Sequence, residues 1–197
     1  NMLTGVFFED LNYAADGGLY AELIQNRDFE YHPRDKEYND PNWNSSYAWV
    51  LKGDRATMKI DSISPIHPNN THYAVLDIPV AGASILNSGF DGIAVKKGET
   101  YDFSLSAKLL NIKKVNLEVR LVSDKQGILA KSNLNITSGN WKTEALTLVS
   151  SADVTDAKLE IVMVNQGRIA IDMVSLFPKK TFKGRKNGLR PDLAQAI

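Results

Sequence analysis

The sequence predicts a mainly β protein, an antiparallel β-sandwich with short pieces of α/β character at its two ends. Three observations predict it. Long segments in the middle of the chain alternate apolar and polar residues with period two. Turn signals separate these segments at regular intervals. Helical spacing of apolar residues is confined to the first 27 and last 20 residues.

At the front, Val6, Phe7 and Phe8 form a short apolar run that ends in Glu9 and Asp10. Continuous apolar character suits a strand covered on both faces, as in α/β barrels. Leu19, Tyr20, Leu23 and Ile24 then recur at helical spacing, which predicts a helix over residues 18–26 with Glu22 on the same turn. From about Asp28 the period changes to two. In "TYDFSLSA", Tyr101, Phe103 and Leu105 share one face and Asp102, Ser104 and Ser106 the other. "VNLEVRLV" repeats this with Val115, Leu117, Val119 and Leu121 against Asn116, Glu118 and Arg120. Leu159, Ile161 and Met163, then Ile169, Ile171 and Met173, continue the pattern. Turn signals fall at Lys97-Gly98, at residues 124–127, 138–140 and 165–167. Many strands of similar length, each with one buried face, pack as a sandwich. After Phe177, "KKTFKGRKNG" reads as a polar linker and "LRPDLAQAI" as a helix start, with Pro191 at its first position and Asp192 in its first turn. A helix of barely two turns does not stand alone in water. Three segments follow: residues 1–27, 28–177 and 178–197, the middle one an insertion between two pieces of another domain.

Composition bounds the function. Apolar content is 43% and charged content 23%, an ordinary globular profile. Lys plus Arg equals Asp plus Glu, so no global field attracts nucleic acid or an anionic membrane. Lys179, Lys180, Lys183, Arg185 and Lys186 form the one basic cluster, expected as a solvated linker. No cysteine is present, so neither disulfides nor thiolate metal sites are available. No apolar stretch approaches membrane-helix length, and with no charged and apolar leader at Asn1 any signal peptide is expected to have been removed or never to have been there. Sequons at Asn44, Asn69 and Asn135 are of a kind frequent by chance in Asn-rich loops.

The chemistry-bearing residues are few. Glu9, Asp10, Asp16 and Glu22 make the dense acidic group. Glycoside hydrolysis needs two facing carboxylates, but neighbours on a strand point to opposite faces, so Glu9 and Asp10 are not such a pair. A strand-end carboxylate paired with an arginine is the simpler reading. His32, His67 and His72 lack metal-ligand spacing, and no nucleophile-elbow or phosphate-loop motif occurs. Trp43 and Tyr47, among Asp40, Asn42 and Asn44, fit a sugar platform of rings for stacking and polar groups for direction. Trp49, in "YAWVL", reads as core, and Trp141, after "SGN", as a cap on the sandwich. Asp28, Glu30 and Asp172 would meet as calcium ligands if the first and last sandwich strands were adjacent. The alternative for Asp172 is a solvated position on the polar face.

"GVFFEDLNYAADGGLYAELIQNRDFE" resembles the N-terminal motif of α-L-arabinofuranosidases of glycoside hydrolase family 51, in the branch that carries an inserted domain. "NSGFDGIAVKKGETYDFSLSAK" and "IDMVSLFPKKTFKGRKNGLRPDLAQAI" are similar to the insert and the return into the barrel. The resemblance implies a carbohydrate-binding module of the family 4/9 type, a galactose-binding-like jelly roll, flanked by fragments of a (β/α)₈ barrel. It implies a retaining parent enzyme whose two catalytic glutamates have no counterpart in these residues, so this segment alone is expected to be inactive. Glu9 matches a glutamate that positions arabinose in the cleavage subsite. The implied partners are an arabinose-containing polysaccharide, arabinan or arabinoxylan, and the remainder of the barrel, with a secreted or periplasmic location. No cofactor is expected beyond a possible structural calcium ion. A structural insert that packs on the barrel or mediates oligomerisation is the competing expectation.

Overall fold

The computed structural model describes residue 15, residues 17–35 and residues 40–196. Two antiparallel sheets face each other in a jelly-roll sandwich. One has the order β1 (Trp49–Lys52), β4 (Ser84–Asn87), β10 (Val154–Met163), β7 (Val115–Ser123), β8 (Gly127–Ile136), with β5 (Ile93–Val95) also paired to β10. The other has the order β2 (Thr57–Asp61), β3 (Tyr73–Ile78), β11 (Gly167–Pro178), β6 (Thr100–Leu109), β9 (Lys142–Val149).

The predicted alternation sets the core. Tyr101, Phe103 and Leu105 face inward from β6 and meet Leu117, Val119 and Leu121 from β7, all buried. Their polar neighbours face outward. On the outer face of the six-stranded sheet these form a charged ladder: Arg120 donates to Glu118 at 2.5 Å and to Glu160 at 3.3 Å, and Ser84 donates to Glu160 at 2.9 Å.

One strand breaks the expected phase. Met173, placed by its spacing on the inward face of β11, sits in the left-handed region at φ 50°, where the β11–β6 register shifts. The bulge moves the inward positions to Val174 and Leu176. It also leaves Asp172 fully buried rather than solvated.

The expected helix over residues 18–26 is not formed. Described residues 17–28 are turns and extended chain, and the segment is a strap built into the sandwich. Leu23 N–H donates to the Leu176 carbonyl and Val174 N–H to the Arg27 carbonyl, so the strap takes up the edge of β11 beyond the bulge, where β3 no longer pairs. Ala21, Ile24 and Phe29 are buried, and the Phe29 ring lies 5.4 Å from that of Trp49. Of the apolar positions that suggested a helix, Ile24 is buried, Leu19 and Leu23 are half-buried and Tyr20 is exposed, because tertiary contacts override weak local propensity. Asn87 donates to the Gln25 carbonyl and accepts from Gly89 N–H, and Trp49 Nε1 donates to the Asn26 carbonyl. Described residues 21–26 therefore pack with the sandwich. The apolar run Val6–Phe8, with Glu9 and Asp10, lies outside the described residues.

The expected C-terminal helix is present as one turn, α1 (Pro191–Ala194). The linker before it is exposed along its basic residues and folds back to the strap. Ala21 N–H donates to the Gly188 carbonyl and Arg190 N–H to the Leu19 carbonyl, around an antiparallel bridge between Tyr20 and Leu189. The two ends of the sandwich thus leave side by side.

Candidate functional site

Across the outer face of the five-stranded sheet the register places short side chains in rows. Ser175 lies opposite Ser104, which lies opposite Ala145; Phe177 lies opposite Asp102, which lies opposite Thr147. Ser106 and Thr143 share a hydrogen bond of 2.9 Å. Short residues in adjacent strands leave a shallow trough in the sheet. The linker closes one side of it with Lys186 and Asn187, giving a groove of about 660 Å³ lined by Asp102, Ser104, Thr143, Thr147 and Ser175 beside those two. The lining offers hydroxyl, amide, ammonium and carboxylate groups in a small space. Asp102 is its one carboxylate. Such a lining suits a polar ligand.

Beyond Thr143 the same face carries an aromatic corner. Tyr73 and Trp141 meet edge to face at 5.1 Å, and Lys108 Nζ lies 4.7 and 4.6 Å from the two ring centroids. Tyr73 and Lys108 are buried and Trp141 is half-buried. Burial lowers the Lys108 ammonium's proton affinity, and the Asp61 carboxylate opposes the shift. Trp141 does cap the sheet, as its place after a turn suggested. Nothing in the sequence signals Tyr73, and only its outward register with Ser104 and Ser106 signals Lys108.

The rings expected to form a sugar platform pack against one another. Trp43 and Tyr47 do come together, with ring centroids 4.8 Å apart, and Tyr31 stacks on Trp43 at 4.2 Å. Trp43 is 8% exposed, so its ring offers no open stacking face. The cluster is tied to the strap through Asn26, which donates to the Ser45 and Tyr47 carbonyls.

The three expected calcium ligands also approach one another. Asp172 accepts from Met173 N–H at 2.7 Å and from Asn70 Nδ2 at 2.6 Å. Burial first, then the nearby Asp28 and Glu30 carboxylates, push its pKa up to about 7 against those hydrogen bonds. Glu30 is turned instead to His72, accepting from its backbone N–H at 2.7 Å and pairing with Nδ1 at 2.6 Å. Asp28 accepts from Glu30 N–H. Among the described residues no group of three or more His, Asp or Glu is arranged to hold a metal ion.

Glu22, grouped in the sequence with the N-terminal carboxylates, is buried against the last strand. It accepts from Ser175 Oγ and from the backbone N–H groups of Leu176, Leu23 and Ile24. Burial raises its pKa, opposed by those bonds and by Arg27. Its role is to fasten the strap.

The family model for the carbohydrate binding domain matches residues 21–167. The chain belongs to that family. The domain is also similar along nearly its whole length to α-L-arabinofuranosidases. An extracellular exo-α-L-arabinofuranosidase of Streptomyces chartreusis is 36% identical over 194 residues, 98% of this chain and 22% of that protein. α-L-Arabinofuranosidase 1 of Arabidopsis thaliana is 29% identical over 207 residues, 99% of this chain and 29% of the relative. The structure of the arabinose-bound MgGH51 α-L-arabinofuranosidase superposes with a TM-score of 0.80 at 30% identity, over 95% of this chain and 31% of that one. A Clostridium thermocellum xylanase 10B fragment shares the fold alone, with a TM-score of 0.56 at 13% identity. The domain thus spans less than a third of the arabinofuranosidases it matches.

Proposed function

We propose that this domain is a non-catalytic carbohydrate-binding part of an extracellular α-L-arabinofuranosidase. On this reading it holds arabinose-containing plant polysaccharide, arabinan or arabinoxylan, along the outer face of its five-stranded sheet. The observation that carries the reading is the polar groove over Ser104, Ser175 and Thr147 in a chain of the carbohydrate binding domain family. A furanose side chain seats between Lys186 and Asn187 on one side and Asp102 and Thr147 on the other. Its hydroxyl groups exchange water for directed bonds to these groups. Similarity to arabinofuranosidases, one of them named extracellular, supports the substrate class and the location.

The paired ends support a second element of the reading. A domain inserted into another fold must leave and re-enter at neighbouring points, and the Tyr20–Leu189 bridge provides that geometry. In the parent enzyme Glu9 would position arabinose in the cleavage subsite of the barrel.

Affinity electrophoresis in gels containing arabinan or arabinoxylan, with mannan as control, tests the proposal. The expected result is retardation by the arabinose-containing polymers alone, weakened in Asp102→Ala. Equal mobility in all gels overturns it.

A further inference from the structure

The aromatic corner of the sheet is closed by the chain itself. The Ser64 carbonyl accepts from Lys108 Nζ at 2.7 Å and from Trp141 Nε1 at 3.0 Å, and the Ile63 carbonyl accepts from the Tyr73 hydroxyl. Three side-chain donors, from β3, β6 and the turn before β9, converge on two adjacent carbonyls of the β2–β3 loop. The loop contributes little burial of its own. Ser62, Ile63 and Ser64 are exposed, Ile63 at 76%, and only Pro65 and Ile66 at the end of the segment are half-buried. Ser64 sits in the left-handed region at φ 60°, uncommon for a residue with a side chain. At Ile63 and Ser64 the contact is made of hydrogen bonds to backbone carbonyls, with an exposed Ile63 side chain and some backbone strain at Ser64. Segments held in this way lie at the low end of local stability.

We propose that residues 62–66 are a lid over a sugar subsite formed by Tyr73, Lys108 and Trp141, and that glycan displaces it. The inference rests on the carbohydrate-binding reading above. The Ile63 and Ser64 carbonyls stand where oxygen atoms of a bound arabinose-bearing glycan would lie. When the loop lifts, the same three donors take hydroxyl oxygens, and the C–H face of the sugar covers the Trp141 ring. The closed form lowers apparent affinity by the fraction of molecules it holds. The open groove at Thr143 and Thr147 takes the chain first, and the subsite lengthens the binding face once the lid has moved.

Ser64→Pro tests the inference, because proline fixes φ near −65° and cannot adopt the closed conformation, while the three sheet side chains stay in place. Calorimetric titration with arabino-oligosaccharides is expected to show binding about fivefold tighter than wild type, the effect of removing roughly one hydrogen bond's worth of closure. Adding Trp141→Ala to Ser64→Pro removes the gain. In the wild-type chain, saturating oligosaccharide is expected to speed amide hydrogen exchange in residues 62–66. Wild-type binding with no gain in a folded Ser64→Pro variant overturns the lid and leaves the carbohydrate reading standing. Absence of binding in both overturns the two together. Should Ser64→Pro fail to fold, the exchange measurement decides: unchanged or slower exchange in residues 62–66 with glycan overturns the lid.

Discussion

Ser175 donates its hydroxyl to Glu22 Oε2 at 2.5 Å, joining the last strand to a strap 153 residues earlier in the chain. The same carboxylate caps three backbone N–H groups while 1% exposed. Glu22→Ala leaves the Ile24 and Leu176 N–H groups and the Ser175 hydroxyl without this acceptor, and Arg27 without its partner at 3.7 Å. Removing one member of such a buried set costs about 3–5 kcal/mol. Urea unfolding monitored by tryptophan fluorescence is expected to show a loss of that size, with Glu22→Gln losing about half as much because one acceptor oxygen remains.

The strap is part of the sandwich rather than an appendage. Deleting residues 1–27 removes Ala21 and Ile24 from the core and the Gln25 and Asn26 carbonyls from Asn87 and Trp49. The shortened chain is expected to lose cooperative thermal unfolding. An unchanged melting temperature would mean that the strap merely lies on a self-sufficient fold.

Gly89 marks where the strap crosses the end of β4. Its φ is +62°, and a Cβ there would lie 2.5 Å from the Leu23 carbonyl oxygen. Gly89→Ala therefore adds backbone strain to a close approach, for an expected loss of about 1–3 kcal/mol in the same urea assay. Gly82→Ala, with nothing within 4 Å of the added carbon, separates the two effects, since only the strain remains there.

Asp172 gives the fold a pH dependence. Its folded pKa of about 7 lies above the ordinary carboxylate value, so the native state holds a proton that the unfolded chain releases. The stability this contributes is fully present below about pH 4 and is lost as pH rises to about 7. The expected result is a wild-type unfolding free energy that falls across this range by up to about 1.4 kcal/mol per pH unit relative to Asp172→Asn. The measurement is made with EDTA, so that no divalent cation replaces the proton among Asp28, Glu30 and Asp172. Parallel curves for the two proteins would show that Asp172 is ionised in the fold throughout.

The sandwich was legible because period-two alternation and turn residues report directly on which face of a strand is buried. Tyr101, Phe103 and Leu105 needed nothing more. Met173 misled because a bulge shifts phase without altering the composition of the strand. Leu19, Leu23 and Ile24 misled because an apolar spacing sustained over only two turns is a weak signal, and contacts with β11 and Trp49 decide the path of this segment instead. The site was less legible than the fold. Trp43 looked like a platform because it stands among Asn and Asp, yet burial depends on Tyr31 and Tyr47 folding over it. The groove consists of Ser and Thr residues that come together only through the strand order β11–β6–β9. That order is set by long-range pairing rather than by local pattern.

The central claim is that glycan lies on the outer face of the five-stranded sheet. Amide chemical-shift mapping by NMR, titrating the labelled domain with arabino-oligosaccharides, tests it most directly. The account predicts saturable shifts concentrated at Ser104, Thr143, Thr147 and Asn187, spreading to Trp141 and residues 62–66. Shifts centred on Glu118, Arg120 and Glu160 on the opposite sheet, or none at millimolar ligand, would contradict it.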